Sequence, residues 1–220
     1  MKLSDRINTM EWGFPSPGGI DKVDMDVLED LVKQQLTKAG AEIRIADVGC
    51  WTGKSTVTFA LADTRVKVEA IDWFRGSDGT ALATAANDTT VKDVLYANLR
   101  YFDVFNKVNV SEDKSVEAAQ KFSDKSFDIV FIDADHRYLN VLEDLKAWYP
   151  KVKPGGFFCG HDCEFILRKN APSWNFFADT TDNPWNGDDF IQMHPGVVRA
   201  VSKMFPNATI LGKQIWMITK

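Results

Sequence analysis

The sequence predicts an α/β chain built on a doubly wound, mostly parallel sheet with helices on both faces. Three observations lead there. From Ile43 onward, short apolar runs alternate with amphipathic stretches; a glycine-rich turn follows the first run directly; and the chain closes on two runs joined by Gly212-Lys213. Alternation of this kind makes βαβ units on a parallel sheet covered on both faces. A two-residue turn cannot join parallel strands, so the last pair is predicted antiparallel.

Taken in order, residues 1–20 combine Trp12, Phe14, Pro15, Pro17 and Gly18-Gly19 and read as an irregular arm. Ile20–Ala39 places Val23, Val27, Leu28, Leu31, Val32 and Leu36 at helical spacing and stops at Gly40, a C′ glycine. The predicted strands are Ile43–Val48, Val66–Ile71, Val108–Val110, Phe127–Ile132 and Phe157–Cys159, with helices at Lys54–Ala62, Thr90–Phe105, Ser115–Phe122 and Tyr138–Tyr149. Gly196–Phe205 reads as a last helix, and Thr209–Leu211 and Gln214–Thr219 as the closing strands. Residues 73–89 and 161–195 fit no element; such long polar stretches in a compact domain are usually functional loops, and 161–195 is read as a lid-like insertion.

Length and composition narrow the function classes. A chain of 220 residues, 45% hydrophobic and 26% charged, is one ordinary globular domain, here residues 1–220 with an N-terminal arm and helix over 1–40 and the α/β core over 43–220. Lys and Arg total 26 against 31 Asp and Glu, with no basic run longer than two, which argues against a nucleic-acid partner. Only three cysteines occur (Cys50, Cys159, Cys163), too few for a secreted disulfide framework, and the first residues lack an apolar leader core. No apolar stretch is long enough to span a membrane. A cytoplasmic location is expected.

Asp47-Val48-Gly49-Cys50-Trp51-Thr52-Gly53 ends the first strand and opens a helix at Lys54. Such a junction lets backbone approach a ligand and points helix N–H groups at it. It can also be a plain βα turn. A P-loop is a rival, since Gly53-Lys54-Ser55 supplies its tail, but that motif needs glycine where Val48 stands, and Gly49 is one residue too close. Asp72 closes the second strand about 20 residues on, where a carboxylate can accept from ribose hydroxyls. The loop lacks the second glycine of a dinucleotide site.

These motifs resemble motif I and the following acidic motif (Ile71-Asp72-Trp73) of class I S-adenosylmethionine-dependent methyltransferases. Phe127–His136, Leu145–Tyr149, Lys153-Pro154-Gly155-Gly156 and Gly160-His161-Asp162 are similar to the small-molecule O-methyltransferase branch, which includes catechol, caffeoyl-CoA and macrolide-sugar enzymes. The resemblance covers about residues 43–165 and the terminal strands. It implies a Rossmann-like seven-stranded sheet with an antiparallel last strand and S-adenosylmethionine as cofactor. By the same resemblance, Asp47, Gly49 and Gly53, with Cys50 and Trp51 between them, border the methionine part of the cofactor. Asp72 takes the ribose, Trp73 lies against adenine, Ser115 supplies an adenine-contacting hydroxyl, and Asp133 closes the cofactor site. Lys114 stands where many members carry an acid.

Asp133, Asp135 and His136 follow the fourth predicted strand, and His161 and Asp162 follow the fifth. Carboxyl ends of neighbouring parallel strands line the ligand crevice, so these groups should meet there. An alcohol or phenol becomes a good nucleophile once its proton leaves, helped by a divalent cation or a base. The resemblance implies metal ligation by Asp133, His161 and Asp162. A histidine in that set departs from the all-oxygen pattern of Mg²⁺ and favours Mn²⁺, Fe²⁺ or Zn²⁺. His136 is the expected base, since an imidazole titrates near neutral pH, and Asp135 its rival. The alternative is a polar network around the cofactor. Cys159 and Cys163 flank His161 but lack the second pair a structural zinc needs. His194 reads as a loop histidine.

The expected activity is methyl transfer to a hydroxyl of a small sugar or phenolic molecule, with a homo-oligomer a further option. The alternatives are a non-catalytic nucleotide-binding module of the same fold and a P-loop ATPase. Trp174, Phe176, Phe177 and Trp185, with Trp12 and Phe14, suit either an aromatic lid over the acceptor or an oligomer interface.

Overall fold

The structure is a computed structural model and describes residues 2–8, 20–40, 42–76, 91–167 and 194–220. Its strands are β1 (Ile43–Val48), β2 (Val66–Asp72), β3 (Val108–Glu112), β4 (Phe127–Ile132), β5 (Val152–Gly160), β6 (Thr209–Leu211) and β7 (Ile215–Thr219). They form one sheet in the order β3-β2-β1-β4-β5-β7-β6. β1 through β5 run parallel, while β7 pairs antiparallel with both β5 and β6. The predicted fold class is observed, the antiparallel end included.

The α-helices among the described residues are α1 (Leu3–Asn8), α2 (Lys22–Ala39), α3 (Lys54–Ala62), α4 (Val91–Tyr101), α5 (Ser115–Ala119), α6 (Tyr138–Trp148) and α7 (Pro195–Met204). One face of the sheet packs on Met25, Leu28, Leu31, Phe59, Leu95 and Leu99 of α2, α3 and α4. The other packs on Leu142, Leu145, Trp148, Val198 and Val201 of α6 and α7. Both faces are covered, which is why every residue of β4 is buried.

α2 starts at Asp21, whose carboxylate accepts from the backbone of Val23 and Asp24, and ends at Gly40 in the left-handed conformation. Two readings of the N-terminal region are corrected. Residues 3–8 form a helix rather than part of an irregular arm, with Ile7 fully buried in the core. Val23 is 46% exposed, and the inward position of that turn belongs to Asp24. β5 starts at Val152 and not at Phe157, since Lys153-Pro154-Gly155-Gly156 is paired: Gly155 donates to the Lys220 carbonyl, and Lys220 donates to Gly156. Most of the arm, residues 77–90 and residues 168–193 lie outside the described residues, and with them Trp12, Phe14, Trp174, Phe176, Phe177 and Trp185.

β1 has β2 on one side and β4 on the other, so the chain reverses its winding between β1 and β4. In an open parallel sheet the ligand crevice lies at that switch point, beyond the carboxyl ends of the strands. Gly49 leaves β1 and Asp133 leaves β4 at that end.

Candidate active site

The glycine loop is fastened from beneath. Gly49 and Cys50 both donate to the Ile71 carbonyl at 2.8 and 3.2 Å, and Asn98 of α4 donates to the Thr52 carbonyl at 2.8 Å. Gly49 has φ +91°, and a Cβ there would lie 1.9 Å from the Asp133 carbonyl oxygen. Only glycine combines that conformation with that approach. The loop after β1 and the acid after β4 are therefore in direct backbone contact.

Asp72, partly exposed, accepts from the Trp51 N–H at 2.8 Å and from the Phe74 N–H at 2.7 Å, one on each carboxylate oxygen. Each oxygen keeps a second lone pair for a ligand hydroxyl. Burial pushes the Asp72 carboxyl up to about 6, against those backbone bonds. Asp47 lies fully buried below the loop, accepting from Ser55 and Thr56 of α3 through one oxygen, while its other oxygen has no hydrogen-bond partner among the described residues. Burial raises it to about 7, and the charges of Asp133 and Asp72 add to the rise. Three acids beneath one loop favour a cationic ligand above it.

Cys50 is buried, its thiol pushed up by burial, and Trp51 holds φ +47°. The Lys114 ammonium stands over the Trp73 ring, 5.1 Å from its centroid. The Ser115 hydroxyl is engaged with α6: it accepts from Trp148 Nε1 at 2.9 Å and bonds to the buried carboxyl of Asp144.

The second half of the site gathers around Asp162, which is buried and adopts φ +60°. A non-glycine residue in that region is strained by about 1–2 kcal/mol, a cost that contacts must hold in place. Those contacts come from all three histidines of the chain. His136 Nε2 lies 3.1 Å from Asp162 Oδ2 and 3.6 Å from Asp133 Oδ1; His161 Nδ1 and His194 Nδ1 lie 2.9 and 3.5 Å from Asp162 Oδ1. Although burial raises the Asp162 carboxyl, the histidines more than reverse this and hold it well below the usual range.

His161 is enclosed. Its Nε2 faces Asp24 Oδ2 of α2 at 3.3 Å and Gln214 at 3.4 Å. Asp24 is itself fixed by the hairpin between β6 and β7: Lys213 N–H donates to Oδ1, and a Cβ on Gly212 would stand 2.3 Å from that oxygen. Burial lowers the His161 pKa, but Asp162 and Asp24 outweigh it and raise it to about 10.

Asp133, His161 and Asp162 present donor atoms within 4.8 Å of one another. His161 Nδ1 is buried beside Asp162 Oδ1 and makes no aligned hydrogen bond among the described residues, while Nε2 faces the Asp24 carboxylate. A ligating imidazole divides its nitrogens in this way, one on the cation and the other on an outer carboxylate. The residues therefore fit a divalent cation, whose binding would displace the His161 proton.

Asp135 is turned from this cluster into a bidentate pair with Arg137. Burial raises its carboxyl, but the Arg137 bonds prevail and lower it. Cys159 and Cys163 are buried free thiols directed at the carbonyls of Val130 and Phe165.

Sequence reasoning missed Asp24, Glu164 and His194. His194, read as a loop histidine, stands at the N-cap position of α7 without a side-chain capping bond, and its Nδ1 lies 2.8 Å from Glu164 Oε1. On the same side, Leu167 N–H donates to the Ser202 hydroxyl of α7 at 2.7 Å.

A family model described as a methyltransferase domain matches residues 46–163, which include the glycine loop, Asp72, Asp133, His136, His161 and Asp162. The chain belongs to that methyltransferase family. The resemblance read from the motifs is borne out at the level of family and fold. Among solved structures the methyltransferase chain is similar to an O-methyltransferase from Bacillus cereus in complex with SAH, at 18% identity and TM-score 0.57, over 99% of this chain and 87% of that one. It is also similar to the O-methyltransferase NovP, at 14% identity and TM-score 0.60, over 91% and 81%. A third, from Staphylococcus aureus and provisionally assigned as a caffeoyl-CoA O-methyltransferase, shares 18% identity at TM-score 0.60, over 92% and 85%. At such identities the likeness is one of fold. No curated protein matches the sequence. No helix among the described residues is long and apolar enough to cross a membrane.

Proposed function

We propose that the protein is an S-adenosylmethionine-dependent O-methyltransferase acting, as a single domain, on a hydroxyl of a small sugar or phenolic molecule. The observation that carries this reading is the backbone contact between Gly49 and Asp133. It sets a loop suited to a cationic nucleoside directly against a cluster suited to deprotonating a hydroxyl.

In this reading Asp47, Gly49, Cys50, Trp51 and Gly53 border the methionine and sulfonium. Asp72 accepts from the ribose, Trp73 and Ser115 flank the adenine, and Asp133 separates cofactor from acceptor. His136 takes the acceptor proton, and Asp162, 3.1 Å from its Nε2, stabilises the imidazolium that results. Asp135, held by Arg137, orients the backbone beside His136 and is the weaker candidate for base. Asp133, His161 and Asp162 would hold a divalent cation, which when bound supplies acidification of the acceptor hydroxyl. The three free thiols and the acidic balance suit a cytoplasmic enzyme without nucleic-acid or membrane partners.

The test is turnover to S-adenosylhomocysteine against a panel of sugars and catechols, with Mn²⁺ or Mg²⁺ and without. Methylated product at a hydroxyl supports the reading. Cofactor binding without turnover on any acceptor would favour the non-catalytic module instead.

A further inference from the structure

We propose that His136, Asp162 and His194 form a second cation-binding set, selective for a borderline transition-metal ion of the Zn²⁺ class. It shares only Asp162 with the set of Asp133, His161 and Asp162. The three donors come from three places in the fold: the turn after β4, the end of β5 and the N-cap position of α7. Their ligating atoms all lie within 4.8 Å of one another. The two imidazoles approach different oxygens of Asp162, His136 Nε2 at 3.1 Å from Oδ2 and His194 Nδ1 at 3.5 Å from Oδ1. Around a tetrahedral ion with bonds of 2.0–2.2 Å, neighbouring donors are about 3.4 Å apart, so the set must draw together around the Asp162 carboxylate when an ion enters.

The rings stand edge to face, with centroids 5.0 Å apart and an interplanar angle of 80°, so they do not block each other's nitrogens. Glu164 Oε1, 2.8 Å from His194 Nδ1, offers a fourth donor to an ion that replaces the proton between them. Two imidazoles and a carboxylate suit Zn²⁺, Co²⁺ or Fe²⁺, whereas Mg²⁺ prefers oxygen. All members are partly or wholly buried, with side-chain exposures of 16%, 8% and 19% for His136, Asp162 and His194. A ligand set held that far from water needs little ordering on binding.

An ion in this set occupies Nε2 of His136 and takes up Asp162, the carboxylate that stabilises the His136 imidazolium under the proposed function. Occupancy and proton transfer then exclude each other, and this consequence rests on that reading. The site itself does not, and it is tested without cofactor or acceptor. With only three histidines, ring ¹H–¹⁵N spectra of the whole metal-free protein assign each nitrogen as Zn²⁺ is added. Zn²⁺ should move His136 Nε2 and His194 Nδ1 together, and His194→Gln should weaken Zn²⁺ at least about tenfold by calorimetry, the least expected for losing a group that supports a metal site. Asp133→Asn, which alters the other set, should leave the Zn²⁺-dependent shift of His194 Nδ1 in place. The proposal is overturned if Zn²⁺ leaves His194 Nδ1 unmoved, if His194→Gln binds like the wild type, or if Asp133→Asn abolishes that shift. Should His194→Gln fold poorly, the ring spectra of the unaltered protein decide alone. If Zn²⁺ binds as expected but no acceptor is ever methylated, the methyltransfer reading fails and the metal site stands.

Discussion

The N–H of Trp51 donates to Asp72 Oδ2 at 2.8 Å, so the acid that ends β2 holds the loop that follows β1. One carboxylate thereby ties together the two segments that a nucleoside ligand would bridge. Replacing Asp72 with Ala removes both the loop anchor and the ribose acceptor. S-adenosylhomocysteine affinity should fall by about 1.5–3 kcal/mol in calorimetry, the range for hydrogen bonds to a charged group. Unchanged affinity would remove Asp72 from the cofactor site.

Gly49→Ala brings a Cβ to 1.9 Å from the Asp133 carbonyl at a positive φ. Backbone strain and overpacking together should cost at least about 2 kcal/mol. Cofactor binding should be lost with it. Thermal melts and calorimetry on the same sample check this; a variant that melts and binds like the wild type contradicts the close approach.

His136→Ala should lower turnover about 10²–10⁴-fold, the usual worth of a positioned base, with cofactor affinity nearly intact. Asp135→Asn should cost less, because Asp135 is engaged by Arg137 and stands apart from the histidines. Both are to be assayed where chemistry limits the rate. The reverse order of effects would transfer the base role to Asp135.

Chelator-treated protein should lose turnover and regain it with Mn²⁺ or Mg²⁺, and Asp162→Ala should bind neither ion. Undiminished turnover in excess chelator would reduce the cluster to a positioning network.

Asp47 gives a pH dependence of known sign. Its carboxyl is raised to about 7 in the folded state by burial, above an ordinary value of 3.8. Between those values the folded chain holds more protons than the unfolded one, so stability falls as pH rises through the window. The cofactor-free wild type should lose about 2–3 kcal/mol relative to Asp47→Asn between pH 5 and pH 8. Melting curves that shift in parallel for both proteins would contradict it.

What the sequence discloses is what local pattern encodes. β1 and β4 are short, mostly apolar runs, the Gly49 junction follows β1 directly, and Asp72 closes β2. α1 escapes notice because Leu3 and Ile7 alone give too little period. Asp24 and His194 act over distance: Asp24 meets His161 across 137 positions, and His194 meets Glu164 across 30. One trace of Asp24 is readable afterwards. It lies four residues before Leu28 and seven before Leu31, an acid on the apolar stripe of α2. Polar residues in such places need a buried partner, and only the fold reveals which.

Leu167 is bonded to Ser202 in the last turn of α7, and His194, at the N-cap of that helix, to Glu164, so the segment that follows β5 is fastened to α7 near both of its ends. The two bonds lie near opposite ends of α7, which is pinned twice against the segment that follows β5. A change at Ser202 therefore reaches Asp162 through the far end of the same helix, where His194 stands 3.5 Å from its carboxylate.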